Sequence, residues 1–214
     1  MRFCIVKAEQ RSELWFASRA GRVTGSKADA VLAKSKSGEA AARRDYLLQL
    51  AVETITGKPM DEGVFVNAAM QHGIDCEPLA RAAIEDRLGL VVHETGFLAC
   101  EDIMAGCSLD GHCGDFREIV EIKCPKSSTH VGYLKAGRLP PDYVAQVSHN
   151  LWVTGAEACH FVSFDDRLPA GLDFFHIRVA RADLDIDGYA AEAERFLAEV
   201  RLEVEALRQL RKAA

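Results

Sequence analysis

The stretch Cys107 to Lys126, CSLDGHCGDFREIVEIKCPK, constrains this chain more than any other. Two short apolar-rich runs, Ile103–Asp110 and Glu118–Lys123, flank a Gly/Asp-containing turn over 111–116. In the second run Ile119, Glu121 and Lys123 alternate with Val120 and Ile122. Side chains alternate along a strand, so Glu121 and Lys123 share one face. An antiparallel return through the turn brings Asp110 toward that face. The pattern therefore predicts two carboxylates and one ammonium at the end of a hairpin. Carboxylates are hard oxygen ligands suited to Mg²⁺ or Mn²⁺, and a nearby Lys suits metal-assisted phosphodiester hydrolysis. An isolated D…ExK equally describes the solvated face of an amphipathic hairpin, so the rest of the chain has to decide.

The chain has 214 residues, 49% of them hydrophobic, enough for one sizeable core. Its net charge of −6 argues against a protein that coats nucleic acid broadly, though not against a local basic groove. Seven cysteines, an odd number without a CxxC pair, read as reduced and mostly buried thiols of a cytosolic protein. Cys107 and Cys113 flank the hairpin. No run approaches the ~20 apolar residues of a membrane span, and no signal peptide is read at the N-terminus.

Ser12 is positioned to cap a helix carrying Trp15 and Arg19, which Gly21 ends. Ser26 is positioned to cap a second helix over 27–32. A helix N-terminus beside Arg19 would suit an anion; a plain cap and a surface Arg is the simpler reading. Residues 34–42 read as a polar, mobile loop. Helical spacing covers 43–56 and 67–88, with Glu77 and Pro78 in the second. Pro78 predicts a kink or a new start at Glu77. Val91–Ala99 reads as the strand before the hairpin. Helices follow from Ser127 and over 141–153, with Gln146 in the latter, and strands over 160–164 and 174–179. A long amphipathic helix over about 182–212 ends the chain, with a solvated charged face and an apolar face that suits the core or a neighbouring subunit. At least five short strands wrapped by helices make a single-domain α/β architecture.

Taken together, these residues resemble the lambda exonuclease and YqaJ-type viral recombinase family of the PD-(D/E)xK nuclease superfamily. The resemblance rests on five pieces in order: Trp15, Arg19 and Ser26; Gly73 and Glu77; Ser108, Asp110 and Gly111; Glu121 to Pro125; and Gln146. Leu109 stands where the superfamily's name places Pro. The resemblance implies a restriction-endonuclease-like core, a central mixed sheet with an antiparallel catalytic hairpin flanked by helices. It also implies a Mg²⁺-dependent exonuclease, with Mn²⁺ substituting, that degrades one strand of linear duplex DNA from the 5′ end to mononucleotides. The 3′ tail it leaves would serve phage-type recombination. Two metal ions would be held by Asp110 and Glu121, assisted by Glu77 and the Ile122 carbonyl. Lys123 and Gln146 would complete the catalytic set, Arg19 and Ser26 would hold the terminal 5′-phosphate, and Met70 would be a wedge at the DNA end. The implied partners are double-stranded DNA ends, two further copies in a ring trimer, and a single-strand annealing protein; no membrane is involved and the setting is cytoplasmic. The alternatives are an endonuclease or repair nuclease of the same superfamily and a catalytically silent DNA-end-binding module. The iron–sulfur branch needs three late cysteines, which this sequence lacks.

Overall fold

The computed structural model describes residues 2–35, 38–60 and 68–213. The chain opens with β1 (Phe3–Val6). Ser12 then starts α1 (Glu13–Arg19), its hydroxyl accepting the Trp15 N–H at 3.2 Å. That bond satisfies a donor left over by the helix itself. After β2 (Val23–Thr24), a 3₁₀ turn over Gly25–Lys27 runs into α2 (Ala28–Leu32). The cap expected at Ser26 does not form: Ser26 lies inside the 3₁₀ turn, and Lys27 takes the cap position without a side-chain bond. Winding starts two residues earlier than expected, at Gly25, where a Cβ would meet Asn150 Oδ1 at 2.5 Å.

The polar segment read as a loop contains a small hairpin, β3 (Lys34–Ser35) and β4 (Gly38–Glu39). Strands this short need only main-chain pairing and leave no alternation to read. Residues 36 and 37, like Asn67, the expected start of the next long helix, lie outside the described residues. α3 (Ala41–Thr56) stops at the left-handed Gly57 (φ 67°). α4 (Ala68–Leu88) contains Pro78 without being divided there, so no new helix starts at Glu77.

The remaining elements are β5 (Phe97–Cys100), β6 (Ala105–Cys107), β7 (Gly111–Cys113), β8 (Glu118–Lys123), α5 (Ser127–Ala136), α6 (Val144–Thr154), β9 (Ala158–Phe164), β10 (Phe174–Ala180) and α7 (Ile186–Ala213). Only the end of the expected 91–99 strand forms, because β5 is as long as its partner β1, paired from Phe3↔Cys100 to Val6↔Phe97. His93 makes a single bridge to His112.

The mixed α/β architecture with its antiparallel hairpin is as expected, but the sheet is not one. Four strands in the order β1-β5-β6-β2 form one sheet, and β10-β9-β8-β7 form another. Each is mixed, with β2–β6 and β8–β9 parallel. The run 103–110 therefore does not face β8. Its strand, β6, belongs to the first sheet, while Gly111–Cys113, read as turn, is the strand that pairs with β8. The turn itself is shorter, with Gly114, Asp115 and Phe116 all at positive φ (55°, 54° and 64°).

β8 separates two apolar regions. Ile119 faces the larger one, with Leu151 of α6 and Phe196 of α7. Val120 and Ile122 face the smaller one, with Cys76, Ala80 and Ile84 of α4. That alternation leaves Glu121 and Lys123 on the α6 side. The apolar face of α7 is used within its own chain: Tyr189, Ala193, Phe196, Leu197, Val200 and Val204 are buried there. Phe196 stacks on Tyr46 at 5.6 Å, and Arg43 grips Glu199 with bonds of 2.6 and 3.0 Å. Each such aromatic contributes ~1.5–3 kcal/mol by burial. Leu202 and Leu210 of α7 remain exposed, at 66% and 68%. All seven cysteines are free; Cys4 is exposed, Cys124 half-buried and the other five buried. No helix among the described residues is long and apolar enough to cross a membrane.

Candidate active site

The link from β6 to β7 passes from one sheet to the other, and Asp110 lies on it. Its Oδ2 accepts the Ile122 N–H at 2.7 Å, fixing the carboxylate against β8. Gly111 is needed next, since a Cβ would come within 2.4 Å of the Val92 side chain. Two residues before Asp110, the Ser108 hydroxyl accepts Trp15 Nε1–H at 3.0 Å and Arg19 Nη1–H at 3.4 Å. Ser108 thus ties the acidic link to α1.

Glu121 is buried, 1% exposed, and ringed by donors. Lys123 Nζ lies 2.5 Å from its Oε1, Gln146 Nε2 donates to the same oxygen at 2.7 Å, and Asn150 Nδ2 donates to Oε2 at 3.0 Å. Gln146 and Asn150 stand one turn apart on α6 and so present the same face. The Lys123 ammonium also sits 5.0 Å from the centre of the Tyr143 ring. Glu77 approaches from α4, held by Arg81 Nη2 at 2.9 Å. Arg81 bonds the Asp110 carbonyl as well, at 3.3 Å, so it joins α4 to the acidic link.

The electrostatics are those of crowded carboxylates. Burial, then the Asp110 charge, pushes Glu77 up to about 7. Burial, with Asp110 and Glu77 adding repulsion against the pull of Lys123, does the same to Glu121, to about 7. Burial raises Asp110 too, against Lys123 and the Ile122 N–H. Burial works against the charge on Lys123, but Glu121 and Asp110 overcome it, and its pKa is raised. Lys123 therefore stays an ammonium.

Arg19 stacks over Trp15, 4.1 Å from the ring centre. Its guanidinium makes long bonds to Thr24 Oγ1 (3.5 Å) and Ser26 Oγ (3.4 Å) besides Ser108. Arg19 and Ser26 are thus neighbours, although Ser26 is not a helix cap. An open cleft beside them is lined by Trp15, Ile74, Glu77, Arg81, Ser108 and Asp110. Met70, two residues into α4, is partly exposed at 37%.

Sequence reasoning missed Asn150, Arg81 and Tyr143. Helical spacing held a signal for two of them: Asn150 is four residues after Gln146, and Arg81 four after Glu77. Nothing in the sequence singles out Tyr143.

Burial raises the pKa of all three carboxylates, with Asp110 adding repulsion at Glu77 and Glu121, so the cluster is short of positive charge, and its oxygens are hard donors. They fit a divalent cation such as Mg²⁺. Asp110, Glu121 and Glu77 would hold it, with the main chain at Ile122 adjoining.

Two mixed sheets meeting at an acidic seam, with Asp110, Glu121 and Lys123 drawn together there, define a nuclease fold of the PD-(D/E)xK type. The chain belongs to the YqaJ-like viral recombinase family, whose sequence model matches residues 14–157. Among solved structures it is similar to an alkaline exonuclease (LHK-Exo) from Laribacter hongkongensis. The identity is 38% over 95% of this chain and 100% of that one, with a TM-score of 0.83. The same protein in complex with dAMP matches with a TM-score of 0.84, at the same identity and coverage. A phage-related exonuclease from Haemophilus somnus 129PT shares the fold, with a TM-score of 0.63 at 14% identity, over 88% of this chain and 95% of that one. No curated protein matches the chain.

Proposed function

We propose that this single nuclease domain is a Mg²⁺-dependent exonuclease that degrades one strand of linear duplex DNA from its 5′ end. The observation that carries the proposal is the meeting of Asp110, Glu121 and Lys123 beside the Arg19–Ser26–Ser108 group. Ser108, which is bonded to Arg19, and Asp110 line the same cleft.

Asp110 and Glu121, with Glu77 and the Ile122 carbonyl, would hold two divalent ions, Mg²⁺ or Mn²⁺. Such ions supply Lewis-acid polarisation of the phosphoryl oxygens and acidify water. Gln146 and Asn150 hold Glu121 in one orientation, so the site is built before substrate arrives. Lys123, kept charged by its neighbours, acts as a fixed cation and donor that orients the attacking water and stabilises charge on the phosphorane; it is not a base. Arg19 and Ser26 hold the terminal 5′-phosphate, which carries more charge than an internal diester. Met70 is the wedge between the separating bases. The LHK-Exo complex with dAMP supports a mononucleotide product.

The 3′-tailed product would enter phage-type recombination beside a single-strand annealing protein, in the cytoplasm of a bacterial or phage-infected cell. A ring of three copies would explain sustained digestion. That proposal rests on family membership, since most of the apolar face of α7 is buried inside its own chain.

The deciding experiment digests 5′-labelled, 3′-labelled and circular duplex DNA in parallel with Mg²⁺. Early release of the 5′ label alone, with circular DNA intact, is expected. Cleavage of circular DNA would make it an endonuclease. Binding of ends with no release would make it a silent module.

A further inference from the structure

A second group of metal-type donors converges where α4 passes the ends of β8 and β9. His72 and Cys76 stand one turn apart on α4 and share a face. Asp166 follows β9, and Cys124 follows β8. The donor atoms of His72, Cys76 and Asp166 all lie within 4.8 Å of one another, the one group of its kind among the described residues. The gap from His72 Nε2 to Asp166 Oδ1 is 3.8 Å. The Cys124 thiol interacts with the Cys76 thiol and so lies beside this group, though not among the three donors that share that spacing.

Two observations point to a ligand here. His72 Nε2 is buried yet has no hydrogen-bond partner. An unsatisfied buried nitrogen costs ~1–3 kcal/mol, so something is expected to complete it. There is also a route in: Cys76 is buried at 2%, while the His72 and Asp166 side chains keep 27% and 41% of their surface open. The donors differ in kind from those of the catalytic seam. Imidazole, thiol and carboxylate together suit a borderline-soft ion such as Zn²⁺, whereas the seam offers hard oxygens suited to Mg²⁺. Donors around tetrahedral Zn²⁺ stand about 3.3–3.8 Å apart. The His72–Asp166 gap of 3.8 Å already has that spacing, and the other pairs, all within 4.8 Å, need only a small inward movement.

We propose that His72, Cys76, Cys124 and Asp166 bind one Zn²⁺-class ion, separate from the catalytic carboxylates. The ion replaces the two thiol protons, which pass to solvent. Its place in the fold gives it a job. Cys76 precedes Glu77 on α4, and Cys124 follows Lys123 at the end of β8. An ion joining the two cysteines clamps α4 to β8 and fixes Glu77 relative to Lys123. The four ligands are positioning residues, not catalytic ones.

The test uses full-length protein carrying Asp110→Ala to weaken the acidic seam, stripped of metal and kept reduced without thiols. Titration with Co²⁺ should give a thiolate-to-cobalt charge-transfer band that saturates at one equivalent. Zn²⁺ should displace it, and Mg²⁺ should not. Adding Cys76→Ser should remove the band, and adding His72→Gln should weaken Co²⁺ binding at least tenfold. Zn²⁺ should raise Tm in the Asp110→Ala protein and not in the His72→Gln double variant. His72→Gln covers the case in which the buried Cys76→Ser protein fails to fold. No band at stoichiometric Co²⁺, as expected if His72 merely meets an ordered water, overturns the proposal. So does a band that survives both substitutions, or a Cys76–Cys124 disulfide that forms in place of metal binding.

Discussion

Asp110 Oδ2 accepts the main-chain N–H of Ile122 at 2.7 Å, joining the two halves of the acidic motif directly. The carboxylate is therefore aimed before any ion or substrate binds. Removing it removes both a donor oxygen and this brace. Asp110→Ala should lower Mg²⁺-dependent cleavage at least ~10³-fold, or about 4 kcal/mol of barrier, with the circular dichroism spectrum unchanged. A folded variant with near-normal activity would remove Asp110 from the mechanism.

Lys123 has a different job from the carboxylates. It is held charged by Glu121 and Asp110, and an ammonium is not a ligand. Lys123→Ala should cut the rate by roughly 10²–10³-fold, the scale of a lost stabilising donor. Mg²⁺ affinity, measured by calorimetry, should change little. A large loss of Mg²⁺ affinity with a normal rate at saturating metal would reverse that division of labour.

Asn150 donates to the buried Glu121 Oε2, opposite Gln146 and Lys123. Asn150→Leu leaves that oxygen without its donor, at a cost of about 1–3 kcal/mol. Both Tm and the apparent Mg²⁺ affinity should fall. An unchanged affinity would mean that Gln146 and Lys123 alone set the pose of Glu121.

Arg19 is the test of end recognition. Its bonds to Thr24, Ser26 and Ser108 are all 3.4–3.5 Å, long enough to give way to a stronger acceptor. Arg19→Ala should slow digestion of 5′-phosphorylated duplex by roughly 2–3 kcal/mol and barely alter the rate on 5′-hydroxyl ends. An equal slowing of both substrates would show that Arg19 only braces α1.

The raised carboxylates give a pH signature. Glu77 and Glu121 titrate near 7 in the fold, above the usual value of about 4.3. The fold thus favours their protonated forms. The resulting stability is present in full below the unfolded value and is lost as pH rises through about 7. Metal-free protein should melt lower at about pH 8 than at about pH 5.5, Mg²⁺ should restore more Tm at the higher pH, and Glu121→Gln should flatten the dependence. An equal Mg²⁺ effect at both values would show that these carboxylates do not take the ion.

The meeting of Glu121 with Lys123 follows from strand periodicity, and most helices follow from their apolar spacing. Gly111–Cys113 was not legible as a strand, because three small or polar residues show no alternation and owe their pairing to β8. The division into two sheets was hidden for the same reason. Ser26 has the right residue type for a cap, but the 3₁₀ turn begins before it, at Gly25, which packs closely on Asn150. The apolar face of α7 could be read, but not what covers it. Asn150 and Tyr143 act through Glu121 and Lys123 of β8, and Arg81 through Asp110 as well as its helix neighbour Glu77; a single sequence carries no record of the long-range pairs.

Ser108 is bonded to Trp15 and Arg19 of α1, Asp110 is bonded to β8, and Leu109 is the one residue between them. Leu109 is itself buried, 6% exposed, in the larger apolar region. A shift of Arg19 toward an anion therefore reaches Asp110 through a rigid coupling of two peptide units. On the proposed roles, reading an end and cutting beside it would share one short lever, and a change at one would retune the other.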